Sequence, residues 1–506
     1  MHSPEIRALY ERLREGEDII FTSFKNIMSE KQQNSKMFAL WVMLVIVLFI
    51  VVGMYYLPTK LGEFELKPVD ILSELRVDQD KGSDADSLFL GVDEGDDLLA
   101  QQRRDSLRLL AMHNDSLRVL ARQDSLYRSL KESHVADSVT AEEVLFEDFS
   151  PGHTGLKSFF DGLKGSTMSD APIYIAALGD SFIEADIFTL DVRHLLQQRY
   201  GGGGVGWMPL YSQVSGYRQG VTQRSKGWKE TTLLQKSKSP FPLSGRSFKA
   251  LGKASVEYEL SDAPDVASSV TRLYYASPQD LEVSYKAGDS TMMLTLPAMT
   301  TIGEYTFPIS AGKVALSVDN AAEATFYGMS LETDRGVVLD NHSLRGNSGI
   351  PFASLDKDLG YGLQAERPYR LIILQYGLNV ANTKQRNYRS YGNTMIKAVQ
   401  RLQELFPDAS ILIMGVSDRG VRESGKFVSM PTLSHFIAEQ RRVAQETGVV
   451  FWDTYAAMQR LGGIGTFVSK GWAAKDYTHM SFKGGRRLAE EMLKAFDFEN
   501  KYYEAL

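Results

Sequence analysis

IYIAALGDSFIEADIF, residues 173–188, joins an apolar, strand-like run to an amphipathic segment through the turn Gly179-Asp180-Ser181. A glycine before the turn permits tight backbone geometry, and the first residues of a helix leave their backbone N–H groups without partners inside the helix. Such N–H groups bind an oxyanion that forms beside a serine. The pattern predicts a nucleophilic Ser181 at a strand-to-helix turn, although a polar turn that only caps a helix gives the same three letters.

Two later stretches supply the partners that a serine nucleophile needs. RLIILQYGLNVAN delivers Gly377 and Asn379 into a turn after an apolar run, and KDYTHMSFKGG places Asp476 and His479 three residues apart before a helical stretch. In the predicted mechanism His479 takes the proton of Ser181, and Asp476 orients the imidazolium. The Asn379 amide joins the backbone N–H of the serine at the oxyanion.

The order of these three motifs resembles that of the SGNH (GDSL) hydrolases. ALGDSFIEADIF, GVVLDNHSLRGNSGIPF and KDYTHMSFKGGRRLAEEM are similar to the branch that contains the bacterial peptidoglycan O-acetylesterases. The resemblance covers residues 171–496 and implies an SGNH-type, flavodoxin-like fold and esterase chemistry without a cofactor. It also implies a further backbone donor to the oxyanion hole, for which Gly349 in RGNSGIPF matches best and Gly346 is the fallback.

Other residues near these motifs are expected to support the site. Asp180 shapes the serine turn, Asp186 supports the loop that follows it, and Gly377 lies in the turn of the second motif. Asp418 and Arg419, in GVSDRG at another strand end, are expected either to contact the substrate or to brace the pocket.

The remainder of residues 171–496 shows the alternating pattern of βα units. Apolar runs predict strands, and the segments between them predict helices: strands at 171–178, 371–376, 410–416 and 449–452, helices near 188–200, 387–405, 433–446 and 481–496. Nearly continuous apolar strands that alternate with helices predict a parallel sheet covered by helices on both faces. Ligands in such folds bind at the carboxyl edge of the sheet, where Ser181 and Asn379 are expected.

Residues 210–336 have a different texture, with short alternating runs such as SVEYEL, LEVSYKAG and ATFYGMSLE. Short, regularly spaced strands predict an inserted β-sandwich module of jelly-roll type, which leaves 144–209 and 337–500 for the hydrolase domain. The peptidoglycan esterase branch carries a carbohydrate-binding-like module at this place. Several aromatic residues of the module either stack on sugar rings or pack its core: Tyr217, Trp228, Tyr274, Tyr275 and Tyr285.

Residues 37–57, MFALWVMLVIVLFIVVGMYYL, form an uncharged run that matches the ~20 residues needed to span a bilayer. Bulky residues and Pro58 follow it instead of a small-residue cleavage site, so we expect an uncleaved anchor. Basic residues are denser before the run than after it. Segment 1–36 is therefore predicted to be cytoplasmic, and the catalytic part of a single-pass inner-membrane protein to face the periplasm or the cell exterior.

Residues 58–143 are predicted to form an acidic linker and an amphipathic helical stalk. The tripeptide Asp-Ser-Leu recurs, and a helix would place on one face the residues Leu107, Leu110, Leu117 and Leu120. This stripe indicates either a coiled coil that makes a homodimer or a helix packed on the catalytic domain. Either arrangement holds the catalytic part away from the bilayer.

The composition excludes several classes of function. The 506 residues carry a net charge of -7 and show no block of basic residues with interleaved aromatics, which argues against a nucleic-acid partner. The absence of cysteine excludes disulfides, cysteine nucleophiles and thiolate metal sites, and the eight histidines show no metal-binding spacing. We therefore expect no metal and no cofactor.

The combined expectation is a membrane-anchored serine esterase that removes O-acetyl groups from an acylated envelope polysaccharide, with peptidoglycan as the first candidate. Two alternatives remain open. An O-acetyltransferase would pass the same acetyl group to a glycan hydroxyl, and a non-catalytic protein would only bind the envelope.

Overall fold

A computed structural model describes residues 60–61, 64–65, 94–137, 140, 142–165, 171–235, 240–261 and 267–506. The predicted cytoplasmic segment and the predicted membrane helix, residues 1–57, lie outside this part. No helix among the described residues is long and apolar enough to cross a membrane. The chain divides into two units, 1–94 and 95–506. In the first unit the structure describes a small antiparallel pair, β1 (Lys60–Leu61) with β2 (Phe64–Glu65).

A six-stranded sheet organises the catalytic part of the second unit. Its strands, in spatial order, are β14 (Gly336–Asn341), β4 (Pro172–Gly179), β15 (Tyr369–Gln375), β16 (Ser410–Met414), β19 (Val450–Trp452) and the antiparallel edge strand β3 (Glu147–Asp148). The five parallel strands follow the flavodoxin-like order 2-1-3-4-5. Almost every residue of these strands is buried, so both faces of the sheet are covered, as the apolar runs predict.

Nine α-helices are described in this unit: α1 (Glu94–Ala136), α2 (Lys157–Gly165), α3 (Thr189–Tyr200), α4 (Lys357–Glu366), α5 (Arg389–Leu405), α6 (Leu433–Thr447), α7 (Thr454–Arg460), α8 (Gly463–Ser469) and α9 (Phe482–Ala505). A separate hairpin pairs β17 (Gly420–Glu423) with β18 (Lys426–Ser429). The last helix continues well past residue 496, because its apolar face keeps packing on the core as far as Tyr502 and Tyr503.

The inserted module is one antiparallel sheet of nine strands: β5 (Gly204–Met208), β6 (Val221–Thr232), β7 (Arg246–Leu260), β8 (Val270–Ser277), β9 (Leu281–Ala287), β10 (Ser290–Leu296), β11 (Met299–Thr306), β12 (Lys313–Val318) and β13 (Thr325–Glu332). The sheet branches where β7 and β13 each pair with three strands, so it curls around its own core.

The predicted two-sheet jelly roll is thus a single curled sheet, and it begins at Gly204, before the predicted boundary of 210. The early start depends on glycine. A Cβ atom on Gly204 would lie 2.3 Å from the carbonyl oxygen of Leu331, so only glycine lets β5 approach β13 this closely.

The aromatic residues of the module divide between its interior and its surface. Trp228, Tyr274, Tyr275 and Tyr285 are buried, which satisfies the packing alternative for these four. Tyr217 is 72% exposed and remains open to solvent.

A buried ionic cluster connects the module to the catalytic sheet. Arg367 donates to Glu332 at the end of β13 (2.8 Å) and to Asp340 in β14 (2.7 Å), and all three side chains are inaccessible to solvent. The hydroxyl of Tyr274 accepts another hydrogen bond from the same guanidinium, at 2.9 Å. Breaking one partner of such a cluster leaves an uncompensated buried charge, so the cluster fixes how the two sheets meet.

Among the described side chains of helix α1, those that pack on the catalytic domain lie in its C-terminal part. Tyr127 is buried, its hydroxyl donates to Glu499 of α9 (2.8 Å), and its ring stacks on His153 at a centroid distance of 4.1 Å. Leu110 and Leu117, nearer the start of the helix, are 56% and 50% exposed. The packed-helix alternative therefore holds for the second half of the stalk, and the coiled-coil dimer stays a prediction for the first half.

Candidate active site

The structure brings the three predicted catalytic side chains together. The Oγ atom of Ser181 lies 3.3 Å from Nε2 of His479, and Nδ1 of His479 lies 2.7 Å from Oδ2 of Asp476. Ser181 follows β4, and the other two residues lie on the loop before α9. The nucleophile, the base and the orienting carboxylate thus form a continuous hydrogen-bonded chain.

The aspartate of the dyad is held as an anion. Partial burial alone would raise the pKa of Asp476, but hydrogen bonds from the His479 side chain and from the backbone N–H groups of Thr478 and His479 lower it below its ordinary value. An ionised carboxylate on Nδ1 leaves Nε2 of the histidine as the atom that faces the serine. The dyad is therefore set to accept a proton from Ser181.

Asp180 shapes the serine turn as predicted from its position. Its Oδ1 accepts the backbone N–H of Phe182 (2.9 Å), and its Oδ2 accepts the Asn379 amide (3.0 Å). Burial raises the pKa of Asp180 to about 6, against an ordinary value of 3.8. The carboxyl is thus a structural acceptor behind the nucleophile.

The segment after the serine is strained. Ala185, Asp186 and Phe188 have positive φ angles of 58°, 68° and 89°, which side chains other than glycine rarely adopt. Each such residue costs about 1–3 kcal/mol and persists only where the surroundings enforce it.

The carboxylate of Asp186 supplies that enforcement. Its Oδ2 accepts from Arg193 (2.7 Å) and Arg218 (2.9 Å), while its Oδ1 accepts from Thr189 (2.9 Å) and Asn341 (3.0 Å). Burial alone would raise the pKa of Asp186, but the two guanidinium groups hold it well below its usual range. Asp186 supports the loop, and it does so with partners from α3, from the module and from β14.

The asparagine of the second motif lies beside the serine turn. Both protons of its amide are engaged, since Asn379 Nδ2 donates to Asp180 and to the carbonyl of Asn347 (3.1 Å). The turn before it requires glycine, because a Cβ atom on Gly377 would lie 2.6 Å from the Phe436 ring and 2.7 Å from Val416.

The two candidate glycines of the oxyanion hole differ in environment. Gly349 is buried, and its N–H donates to Oδ1 of Asn347 at 3.0 Å. Gly346 is exposed, and its N–H has no acceptor among the described residues. Its loop is fixed at the serine turn, because Leu344 N donates to Gly179 O at 2.9 Å.

The catalytic loop rests on the β17–β18 hairpin. Gly420 N donates to Tyr477 O (2.7 Å), and the Tyr477 ring stacks on Phe427 with 3.8 Å between centroids. Asp418 is buried and accepts from Ser429 and from the backbone of Ile464, both at 2.8 Å. Asp418 therefore braces the hairpin.

Arg419 braces the same edge of the sheet, since its guanidinium donates to the carbonyls of Leu378 (3.1 Å) and Ala381 (3.4 Å).

Sequence reasoning missed the residues that arrive from distant parts of the chain. Arg218, Asn341 and Asn347 hold the nucleophile segment, the asparagine turn or both, yet none belongs to a motif with fixed spacing. The available signal was GVVLDNHSLRGNSGIPF itself, which contains Asn341 and places Asn347 directly after Gly346.

Solved structures resemble this chain to different degrees. A structure of a peptidoglycan O-acetylesterase matches with a TM-score of 0.59 and 23% identity over 70% of this chain and 99% of that chain. A family-two carbohydrate esterase from Cellvibrio japonicus has a TM-score of 0.23 and 11% identity, covering 56% of this chain and 99% of that chain. An acetyl xylan esterase has a TM-score of 0.23 and 15% identity, covering 31% and 81%. No family model and no curated protein matches the sequence. The first similarity shows a common fold.

Proposed function

We propose that this chain, which has the fold and the three motifs of the SGNH (GDSL) hydrolases, is a serine esterase that removes O-acetyl groups from an envelope polysaccharide. Peptidoglycan is the first candidate substrate. The observation that carries the proposal is the hydrogen-bonded chain Ser181–His479–Asp476.

The position of this chain in the fold supports a catalytic use. The order of the parallel strands reverses between β4 and β15, and ligands of open α/β sheets bind at the carboxyl ends of the strands beside such a reversal. Ser181 follows β4 directly, and Asn379 follows β15. The strained segment after the serine is a further sign, because strain of this kind clusters at functional sites.

The reaction follows from the geometry. Ser181 Oγ attacks the acetyl carbonyl carbon while His479 Nε2 takes its proton. The tetrahedral intermediate collapses, the sugar oxygen leaves with that proton, and an acetyl-enzyme remains. His479 then takes a proton from water, the resulting hydroxide attacks the acetyl group, and acetate departs as the serine regains its proton.

We infer that the oxyanion is bound by the backbone N–H groups of Ser181 and Gly346. Neither N–H has a hydrogen-bond acceptor among the described residues, whereas Gly349 donates to Asn347. Asn379 holds the Gly346 loop in place through the Asn347 carbonyl. The Asn379 amide joins the oxyanion when it gives up one of its two acceptors, the Asp180 carboxylate or the Asn347 carbonyl.

The choice of substrate has separate support. The similarity to the peptidoglycan O-acetylesterase structure extends over 99% of that chain and 70% of this chain. The uncharged run at residues 37–57 supports a membrane anchor, with the catalytic part on the envelope side.

The test is acetate release by the full-length chain in a non-ionic detergent, from O-acetylated peptidoglycan and from acetylated xylan. We expect release from peptidoglycan, and we expect Ser181→Ala to lower kcat by at least about 10³-fold. Ser434→Ala, which removes an exposed hydroxyl on α6, is the matched control and leaves release unchanged.

Three other outcomes would contradict the proposal. Release from xylan alone would show that the substrate is not an envelope polysaccharide. Transfer of acetyl to an added glycan that outpaces hydrolysis would identify an acetyltransferase. No release, together with no labelling of Ser181 by a small activated ester, would identify a binding protein.

A further inference from the structure

The loop that carries the catalytic dyad is strongly basic. Residues 470–487, KGWAAKDYTHMSFKGGRR, contain five lysines and arginines against one acidic residue, although the whole chain has a net charge of -7. The one acidic residue, Asp476, is already bound to His479. The catalytic loop therefore carries a local excess of positive charge, whereas the chain as a whole is negatively charged.

Three of these basic side chains, Lys483, Arg486 and Arg487, line a cleft with a volume of about 440 Å³ between the first turns of α9 and α3. Its polar, charged and indole side chains are Asp191, Gln219, Trp472, Lys483, Arg486, Arg487 and Glu490. Gln219 comes from the module, so the cleft is lined by both parts of the unit.

The cleft adjoins the segments that carry the catalytic groups. Phe482, which also lines it, is three residues from His479. A Cβ atom on Gly485 would lie 2.6 Å from the backbone N of Phe188, and one on Gly484 would lie 2.0 Å from the Trp472 carbonyl oxygen. These close approaches fix α9 against both the nucleophile segment and the catalytic loop.

Some of the positive charge in the cleft is balanced from within. Arg486 pairs with Asp191 (2.8 Å), yet its side chain is 66% exposed, and Arg487 pairs with Glu490 (2.9 Å). Lys483 has no ion-pair partner among the described residues, and it lines the cleft beside the two arginines. The two carboxylates of Asp191 and Glu490 balance the two arginines, so the charge of Lys483 is the one that the lining leaves unbalanced.

Two cationic side chains lie close to the ring of Trp472. The Lys470 ammonium lies 4.5 Å from the Trp472 ring centroid, and the Arg487 guanidinium carbon lies 5.4 Å from it. Lys483 lies in the first turn of α9, where a cation opposes the helix dipole, so helix stability does not explain its placement. An anionic ligand explains it, because carboxylates match the donors of arginine and lysine.

We propose that this cleft is a subsite that binds a carboxylate of an acetylated, acidic glycan whose acetyl group reaches Ser181. The inference rests on the proposed esterase function and narrows its substrate to polymers that carry carboxylates near the acetylated sugar. Both helices that form the cleft begin at the edge of the sheet where the serine lies, so one polymer can occupy both places. A carboxylate bound there positions the sugar, and Lys483 and Arg487 act as positioning residues.

The test measures binding, so it does not depend on turnover. The full-length Ser181→Ala chain is titrated with O-acetylated muropeptides whose carboxylates are either free or blocked by amide formation with methylamine. We expect the free form to bind at least about tenfold tighter at low salt, and this preference to shrink as salt rises from about 20 to 300 mM. Adding Lys483→Gln and Arg487→Gln removes the preference.

Two control variants test whether the loss of preference is specific to the cleft. Lys494→Gln with Lys501→Gln removes two charges from the same helix outside the cleft and keeps the preference. Lys483→Gln alone, at an exposed side chain without an ion pair, tests the cleft even if the double variant is less stable.

The inference is overturned if the free and blocked muropeptides bind equally, or if the cleft variants keep the preference. It is also overturned if these variants instead lose binding to phosphatidylglycerol vesicles, which would assign the charge to a membrane surface. Acetate release by the wild-type chain is a separate readout, so failure of the subsite and failure of the esterase function are distinguishable.

Discussion

The nucleophile segment and the catalytic loop meet at one hydrogen bond, but the protein holds them in opposite ways. The segment after Ser181 is buried, strained and enclosed by charges, with Asp186 bound to two arginines. The catalytic loop is open, since the side chains of His479 and Asp476 are 43% and 49% exposed. It rests on backbone hydrogen bonds and one aromatic stack.

Substitutions in the two regions should therefore have different effects, on stability in the nucleophile segment and on the reaction in the catalytic loop. A change in the nucleophile segment removes buried interactions on which the fold depends, so it lowers the free energy of unfolding. A change in the catalytic loop removes groups that water already reaches, so it alters the reaction and leaves the fold nearly intact. Four substitutions test this contrast, from the largest expected effect to the smallest.

His479→Ala removes the base from the open loop. We expect kcat for acetate release to fall by about 10³-fold or more, because the serine loses the group that takes its proton. The midpoint of thermal unfolding changes little, since the imidazole is half exposed. A large loss of stability together with activity would show that the loop is part of the core and would break the contrast.

Asp186→Asn removes the charge between two buried guanidinium groups, Arg193 and Arg218. We expect the free energy of unfolding to fall by about 3–5 kcal/mol, measured by urea denaturation. The control is Asp497→Asn, whose ion pair with Arg199 has both side chains largely exposed, and we expect a loss below about 1 kcal/mol. Equal losses in the two variants would contradict the proposed brace.

The carboxyl of Asp180 makes the free energy of unfolding depend on pH. Its pKa is about 6 in the folded chain and 3.8 ordinarily, so between these values the folded state binds more protons than the unfolded state. The free energy of unfolding then falls as pH rises from about 4 to 7, by about 3 kcal/mol from this group. Subtracting the profile of Asp180→Asn from that of the wild type isolates the contribution, and a flat difference would refute it.

Phe427→Ala removes the ring on which Tyr477 stacks. We expect kcat to fall about two- to fivefold, because an aromatic pair is worth about 0.5–1.5 kcal/mol and the loop keeps its backbone bonds. Phe241→Ala, at a buried phenylalanine elsewhere in the chain, should instead lower stability. An unchanged kcat in Phe427→Ala would show that the hairpin does not position the loop.

The parts that could be predicted from the sequence are those with local signals. The spacing of Asp476 and His479 is short, so one turn brings them together wherever the rest of the chain lies. The apolar runs of the parallel sheet also signal locally, because strands buried on both faces carry few polar residues. The strand order and the edge that holds Ser181 then follow from the rules of open α/β folds.

The curled module was harder to predict because alternating strands do not reveal how they pair. The period-two pattern indicates which side of a strand is buried, and two separate sheets or one branched sheet satisfy it equally. The approach of Gly204 to Leu331, which joins β5 to β13, depends on residues more than a hundred positions apart. For the same reason the choice between Gly346 and Gly349 as the proposed oxyanion donor depends on which N–H remains free in the folded loop.

The sequence by itself determined the α/β class, the presence of an inserted all-β module and the identity of the three residues of the hydrogen-bonded chain. Their motifs are local and their chemistry is specific to residue type. Only the tertiary structure decided that Arg218 and Asn341 brace the nucleophile segment, that Arg367 links the two sheets and that basic side chains converge on one cleft. Those contacts join residues from separate elements, and burial of charge makes them strong only after the chain has folded around them.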